Sequence, residues 1–89
     1  MSAQQLSAGG WTAYHPLTPE DLQVFQKALT GFVGVNYIPE EVATQVVHGV
    51  NYRYLTKASQ PGQTNSWKAV VEIYAPLSGD PHVIQIFRI

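Results

Sequence analysis

Apolar and polar positions recur with two different periods along this chain of 89 residues. Between positions 18 and 34, apolar side chains return every three or four residues, which is typical of an amphipathic helix. Thr18 is a good N-cap, and Pro19 with the acids after it suits the first helical turn. We therefore predict a helix that begins at Pro19 and ends at Gly34. Its buried stripe would consist of Leu22, Phe25, Leu29 and Phe32.

Beyond Pro39 the period changes to two, which is typical of antiparallel strands with one buried face. Residues 11–15 alternate enough to predict a short first strand that ends at Pro16. The later predicted strands are 42–44, 50–56, 67–74 and 83–89, with polar turns at 59–65 and 76–81. A helix and a sheet bury both apolar faces by packing on each other. The sequence therefore predicts an α+β fold, with one amphipathic helix packed across a four- to five-stranded antiparallel sheet.

The length of the chain allows one domain with a modest core. Because there is no cysteine, that core must form by packing alone, without a disulfide. The first ten residues are small and polar and end in Gly9-Gly10. We predict that residues 1–10 form a flexible amino-terminal segment and that residues 11–89 form a single domain.

Charge and apolar run length argue against two classes of partner, nucleic acid and membrane. The net charge is −1, and the five basic residues are scattered, so nucleic acid is not an expected partner. No apolar run approaches the roughly 18 residues of a membrane span. The start of the chain has neither a basic nor a long apolar stretch, which predicts a cytoplasmic protein. Charged residues make up only 12% of the chain, so its surface suits apolar contact with another protein.

Histidine chemistry is not predicted for this chain. His15, His48 and His82 are widely spaced, and isolated surface histidines are far more common than catalytic or metal-ligating ones. We therefore expect no metal, no cofactor and no enzymatic activity.

Residues 45–49, which join two predicted strands, form the most informative segment. The join is uncharged, contains Val46 and Val47, and ends at Gly49. Glycine inside a strand weakens it, so Gly49 is predicted to be a hairpin corner with unusual backbone angles. Loops facing solvent are usually polar. An apolar hairpin tip is therefore better suited to entering an apolar cleft of another protein.

The pattern Gln45-x-Val47-x-Gly49 resembles that of the cystatins, reversible inhibitors of papain-like cysteine proteases, in which it forms the first inhibitory hairpin. Asn51-Tyr52 follows it as in that family. Two more features match in the family's order. Gly9-Gly10 resembles the amino-terminal segment of the stefins, the cysteine-free intracellular branch, and Leu77 lies where the family has its second binding hairpin. The chain differs in having His48 in place of the usual alanine and Pro76-Leu77 in place of a frequent Pro-Trp.

The resemblance implies that three segments fill the active-site slot of a papain-like protease without offering a bond for cleavage. Val47 would be the central apolar knob, and Leu77 would cover the primed side. The implied protease-binding residues are Ala8, Gly9, Gly10, Gln45, Val46, Val47, His48, Gly49, Pro76, Leu77 and Ser78. The alternative is a binding module with the same fold and no protease target.

The hairpin also bears on self-association. Val46 and Val47 are β-branched, so we expect a strained turn that can relax by straightening into one long strand. Two chains would then exchange their first halves. The expected state is a monomer that can form a domain-swapped homodimer.

Overall fold

The chain folds as one helix laid across one antiparallel sheet, in a computed structural model that describes residues 10–89. The strands of these residues follow one another in the sheet in the order β1-β2-β3-β4, and each neighbouring pair is antiparallel. The predicted α+β fold is confirmed. The elements are α1 (Pro19–Ala28), β1 (Asn36–Val47), β2 (Gly49–Ser59), β3 (Ser66–Ala75) and β4 (His82–Arg88).

The segment before the helix lies along the outer edge of β1 but is not the regular strand predicted for residues 11–15. It makes two isolated bridges, Trp11 with Gln45 and His15 with Val42. Between them the Thr12 hydroxyl accepts a hydrogen bond from the Thr44 N–H at 2.9 Å. A side-chain oxygen thus takes the place of a backbone carbonyl, and the regular ladder is interrupted.

Helix α1 begins where it was predicted. The Thr18 hydroxyl accepts from the Asp21 N–H at 3.1 Å, and the Asp21 carboxylate accepts from the Thr18 N–H at 3.0 Å. These reciprocal bonds form a capping box. Thr18 and Asp21 are only three residues apart, so the local sequence is sufficient to predict the start of the helix.

The predicted end of the helix at Gly34 is wrong. Helix α1 ends at Ala28, and the chain turns away at Gly31, whose φ is 91°. The predicted stripe is not buried as a unit. Leu22 is 39% exposed and Phe32 is 50% exposed, whereas Phe25 lies in the core.

The core lies between α1 and one face of the sheet. The Phe25 ring packs edge-on against Tyr54 with centroids 4.8 Å apart, above the fully buried Val42 and Val71. The Tyr54 hydroxyl donates to the backbone carbonyl of Asp21 at 2.8 Å. Burial, with the nearby Tyr52 and Asp21, raises the pKa of Tyr54 far above its ordinary value, so the donor stays protonated. This bond fixes the first turn of the helix on β2.

Strand β1 starts at Asn36, ahead of the predicted strand at 42–44, because the chain passes through Pro39 without leaving the sheet. The register shifts between Pro39 and Glu41, which marks a β-bulge. Proline is tolerated on outer strands and at bulges. The long β1 carries the hairpin to the end of the sheet.

Candidate functional site

The described parts of the three predicted segments meet at one end of the sheet, which we call the hairpin end. The bridge between Trp11 and Gln45 brings Gly10 beside the first hairpin. A Cβ atom added at Gly49 would lie 3.1 Å from the Cα atom of Pro76, so the first hairpin contacts the second loop. Ala8 and Gly9, which the resemblance also assigned to the site, lie outside the described residues.

The tip of the first hairpin presents apolar side chains to solvent. Val47 pairs with Gly49 across the turn at His48. Val46 is 49% exposed, Val47 is 41% exposed, and His48 is also exposed. These three side chains are available for contact with another molecule.

Gln45 has a different environment from the tip. Its side chain is half-buried, and its Oε1 accepts a hydrogen bond from Asn51 Nδ2 at 2.8 Å. The two residues are directly opposite each other in β1 and β2. The Gln45 amide therefore joins the two strands of the hairpin just before its tip. This hydrogen bond gives both Gln45 and Asn51 of the sequence pattern a structural role.

Gly49 is required by the fold itself. Its φ is 114°, and a Cβ atom there would lie 2.5 Å from the carbonyl oxygen of Ala75. The predicted hairpin corner is confirmed. Among residues 10–89 the positive φ angles fall on glycines alone, so the unusual backbone angle of this turn lies at Gly49, and the strain expected at Val46 and Val47 stays a prediction.

The second loop, residues 76–81, presents Leu77, whose exposed fraction of 71% is among the highest of the large apolar side chains in the described chain. Pro76 before it is half-buried, and Ser78 after it is exposed. Asp80 forms an ion pair with Lys27 of α1 at 3.6 Å. Both side chains of that pair are well exposed, so it contributes little to stability.

Tyr74 is a contact residue of the hairpin end that the sequence analysis did not single out. Its hydroxyl donates to the backbone carbonyl of His48, and its ring packs edge-on against His82 with centroids 5.7 Å apart. Alternation correctly places Tyr74 on the face opposite Ile73. Nothing in the alternation indicates what the ring touches.

A second polar group lies one row deeper on the same face. Arg53 Nε lies 2.7 Å from Glu72 Oε2, Gln85 Nε2 donates to Glu72 Oε1 at 2.7 Å, and the Arg53 guanidinium lies over the indole of Trp11. Burial raises the pKa of Glu72, but the hydrogen bonds from Gln85 and Arg53, with the Arg53 charge, outweigh it and lower the pKa overall. The group ties the start of the described chain to β2, β3 and β4.

The hairpin end offers exposed apolar side chains for contact with another molecule. Among residues 10–89 there is no cluster of three or more histidine, cysteine or acidic side chains that could hold a metal ion. An apolar groove of about 280 Å³ lies elsewhere, between the end of α1 and the start of β1. Asn36 and Tyr37, which line it, belong to the opposite end of β1.

No family model matches the chain, and no curated protein sequence matches it. Solved structures do match. The salivary cystatin of the soft tick Ornithodoros moubata is 22% identical, with 93% of this chain and 99% of that chain covered and a TM-score of 0.67. This likeness supports the fold.

A second solved structure is similar in sequence as well as in fold. It is the secreted type 1 cystatin of Fasciola hepatica, which is 31% identical over 92% of this chain and 97% of that chain, with a TM-score of 0.63. The match thus extends over nearly the whole length of both chains.

Proposed function

Because this chain belongs to the cystatin family, we propose that it is a reversible, competitive inhibitor of papain-like cysteine proteases. The observation that carries the proposal is the exposure of Val46, Val47 and Leu77 together at the hairpin end. Exposed apolar side chains that lie close together mark contact surfaces on monomeric proteins. The family is one of inhibitors rather than enzymes.

In the proposed complex, the tip of the first hairpin enters the middle of the active-site slot, with Val47 as its apolar knob. Ala8, Gly9 and Gly10 occupy the non-primed subsites, where glycine allows the chain to turn away before a peptide bond reaches the thiolate. The second loop, with Leu77 between Pro76 and Ser78, covers the primed side. No bond is presented for cleavage.

The fold favours tight docking because the first hairpin is held before the partner arrives. Gln45 is hydrogen bonded to Asn51, and Gly49 is buried against Ala75. A pre-ordered loop loses little conformational entropy on binding. Three short segments at one end of a small domain correspond to a standard interface of about 800 Å² per partner.

We also propose that the chain is a monomer of the stefin-like branch. The absence of cysteine and the order of the three segments along the sequence support this assignment.

The alternative function is a non-inhibitory binding module with the cystatin fold. A titration of papain and of a cathepsin L-type enzyme separates the two functions. We expect competitive inhibition with the inhibitor recovered uncleaved. If neither enzyme is inhibited at micromolar concentration, the inhibitor proposal fails and the binding module is favoured.

A matched pair of variants locates the contact. Val47→Asp places a charge at the tip, where we expect at least about thirtyfold weaker inhibition, as for a central interface residue. Ile38→Asp changes another exposed apolar residue of β1 at the opposite end, so it should leave inhibition unchanged. Equal losses from the two variants would argue against the hairpin end as the binding site.

A further inference from the structure

We propose that Tyr74 is a positioning residue that holds the tip of the first hairpin in place relative to the second loop. The proposal rests on the proposed function, because it concerns how the inhibitory surface is kept ready for docking. Tyr74 lies near the end of β3 and is followed closely by Pro76 and Leu77. Its hydroxyl, which bonds to the hairpin, therefore links the two proposed contact segments directly.

Tyr74 shares one row of the sheet with three other residues. It is directly opposite Asn51 in β2 and His82 in β4, and Asn51 is opposite Gln45 in β1. These four residues thus form one row across the sheet, the row nearest the hairpin tip that includes all four strands. Cross-strand neighbours in such a row stabilise each other.

The four residues of the row make different contacts. Gln45 and Asn51 are hydrogen bonded to each other at 2.8 Å, and His82 packs edge-on against the Tyr74 ring. Tyr74 differs because its hydroxyl reaches past the row to the backbone carbonyl of His48 at the turn. This side-chain hydrogen bond thus reaches the turn itself.

The Tyr74 ring reaches the turn at His48 by packing on Gly49. A Cβ atom at Gly49 would lie 3.1 Å from Tyr74 Cε1, so the ring crosses the backbone of Gly49 where a side chain would stand. Aromatic side chains cover cross-strand glycines in this way. The glycine of the sequence motif and Tyr74 are therefore two halves of one contact.

The contact makes the hairpin tip stiff relative to β3. A tyrosine has only two rotatable side-chain bonds, so a packed ring with a hydrogen-bonded hydroxyl is a stiff connection. It holds the carbonyl of His48 at a fixed distance from β3, whose end carries the second loop. Val47 and Leu77 then approach a partner as one rigid surface, and less entropy is lost on docking.

The test compares Tyr74→Phe with the unmodified protein. The variant keeps the ring on Gly49 and against His82 and removes the bond to His48. We expect dissociation from papain to become about fivefold faster, the factor carried by a hydrogen bond of ordinary strength. Thermal stability should be nearly unchanged, because the bond is exposed and water can take the place of the hydroxyl at the His48 carbonyl. Tyr37→Phe is the matched control at the other end of the sheet and should change neither quantity.

A second readout is independent of the protease. Amide hydrogen exchange at residues 47–49 of the free protein should be faster in Tyr74→Phe and unchanged in Tyr37→Phe. Unchanged exchange in Tyr74→Phe overturns the proposal, even if dissociation becomes faster, because the hydroxyl would then act by touching the protease. Faster exchange with unchanged dissociation also overturns it, since the tip would loosen without effect on binding.

The two proposals fail in different ways. If the unmodified protein does not inhibit papain, the proposed function fails, and hydrogen exchange alone then decides whether Tyr74 holds the tip. If the unmodified protein inhibits and Tyr74→Phe is indistinguishable from it in both readouts, the positioning role fails and the proposed function stands.

Discussion

The guanidinium of Arg53 lies 4.1 Å from the centroid of the Trp11 indole ring. Arg53 is itself held by Glu72, so the indole rests on a cation that the sheet has already fixed. Trp11 directly follows Gly10, the last residue of the proposed amino-terminal binding segment. The stacked pair therefore anchors the residue to which that segment is joined.

We predict that Arg53→Met speeds dissociation from papain by about two- to fivefold, the range for an exposed cation–π contact. Deleting residues 1–10 should also speed dissociation, because related complexes differ mostly in their dissociation rates. In the shortened protein Arg53→Met should have no further effect, since the segment it positions is gone. Dissociation rates of all four proteins measure this coupling.

The control for this cycle is a similar pair at the other end of the sheet. The Arg88 guanidinium lies 5.4 Å from the centroid of Trp67, and Arg88→Met should leave dissociation unchanged. Thermal stability should barely change on deletion of residues 1–10. If the effects of Arg53→Met and the deletion simply add, Arg53 does not act through the amino-terminal segment.

A second prediction concerns the corner of the first hairpin. Gly49→Ala should lower the free energy of unfolding by about 2–4 kcal/mol, because a positive φ and a steric clash with Ala75 are both imposed. Inhibition of papain should fall with it, since the tip is displaced. Denaturant unfolding and the inhibition constant are the measurements.

Gly62→Ala separates the cost of the positive φ from the cost of the steric clash. Gly62 also has a positive φ, of 80°, but an added Cβ atom there meets nothing within 4 Å. This variant should lose only the backbone cost of about 1–2 kcal/mol. Equal losses at the two glycines would show that the close approach of Gly49 to Ala75 is not a constraint.

The third prediction concerns stability in acid. The pKa of Glu72 is lowered in the folded protein, so its carboxylate stabilises the fold above the ordinary glutamate pKa of about 4.3. That stabilisation is lost as the pH falls through the lowered folded pKa. Glu72→Gln should cost about 1 kcal/mol at pH 7, and the difference from the unmodified protein should shrink below about pH 4.

Melting temperatures between pH 7 and pH 3 test this prediction. The matched control is Glu41→Gln, an exposed glutamate of β1, for which we expect little change over the whole range. A difference between Glu72→Gln and the unmodified protein that stays constant down to pH 3 would exclude the Glu72 carboxylate as the source.

The fourth prediction concerns His48 at the exposed tip. Histidine side chains gain a proton as the pH falls from about 7 to about 5. Docking removes water from the tip, which disfavours the charged form, and the protease imidazolium repels it. Affinity should therefore fall with pH, and His48→Ala should flatten the fall without abolishing inhibition. Inhibition constants of both proteins across this range decide it, and parallel profiles would mean that His48 points away from the slot.

The fifth prediction concerns exchange between two chains. If residues 47–49 straighten, β1 and β2 become one strand, and Gly49 can leave its positive φ of 114°. The first half of each chain then packs on its partner. Such a dimer has no hairpin tip and should not inhibit papain. Gel filtration after partial unfolding, with an assay of each peak, tests this, and a fully inhibitory exchanged dimer would contradict the proposed mechanism.

The sequence by itself determined the features that depend on near neighbours. The start of α1 follows from Thr18 and Asp21, which bond to each other within one turn. The alternation along β2 and β3 follows from the two faces of a strand, and the corner at Gly49 follows from the backbone freedom of glycine. Each is encoded within a few residues, so local pattern is sufficient.

Only the tertiary structure decided which distant side chains meet. Tyr74 reaches the carbonyl of His48, and Arg53 lies between Trp11 and Glu72, because the strand register brings these positions together. The early end of α1 has a similar origin, since periodicity continues to Phe32 although Phe25 is the one residue of the predicted stripe that is buried. Register and burial depend on the packing of whole elements, and a period along one segment does not specify what lies opposite it.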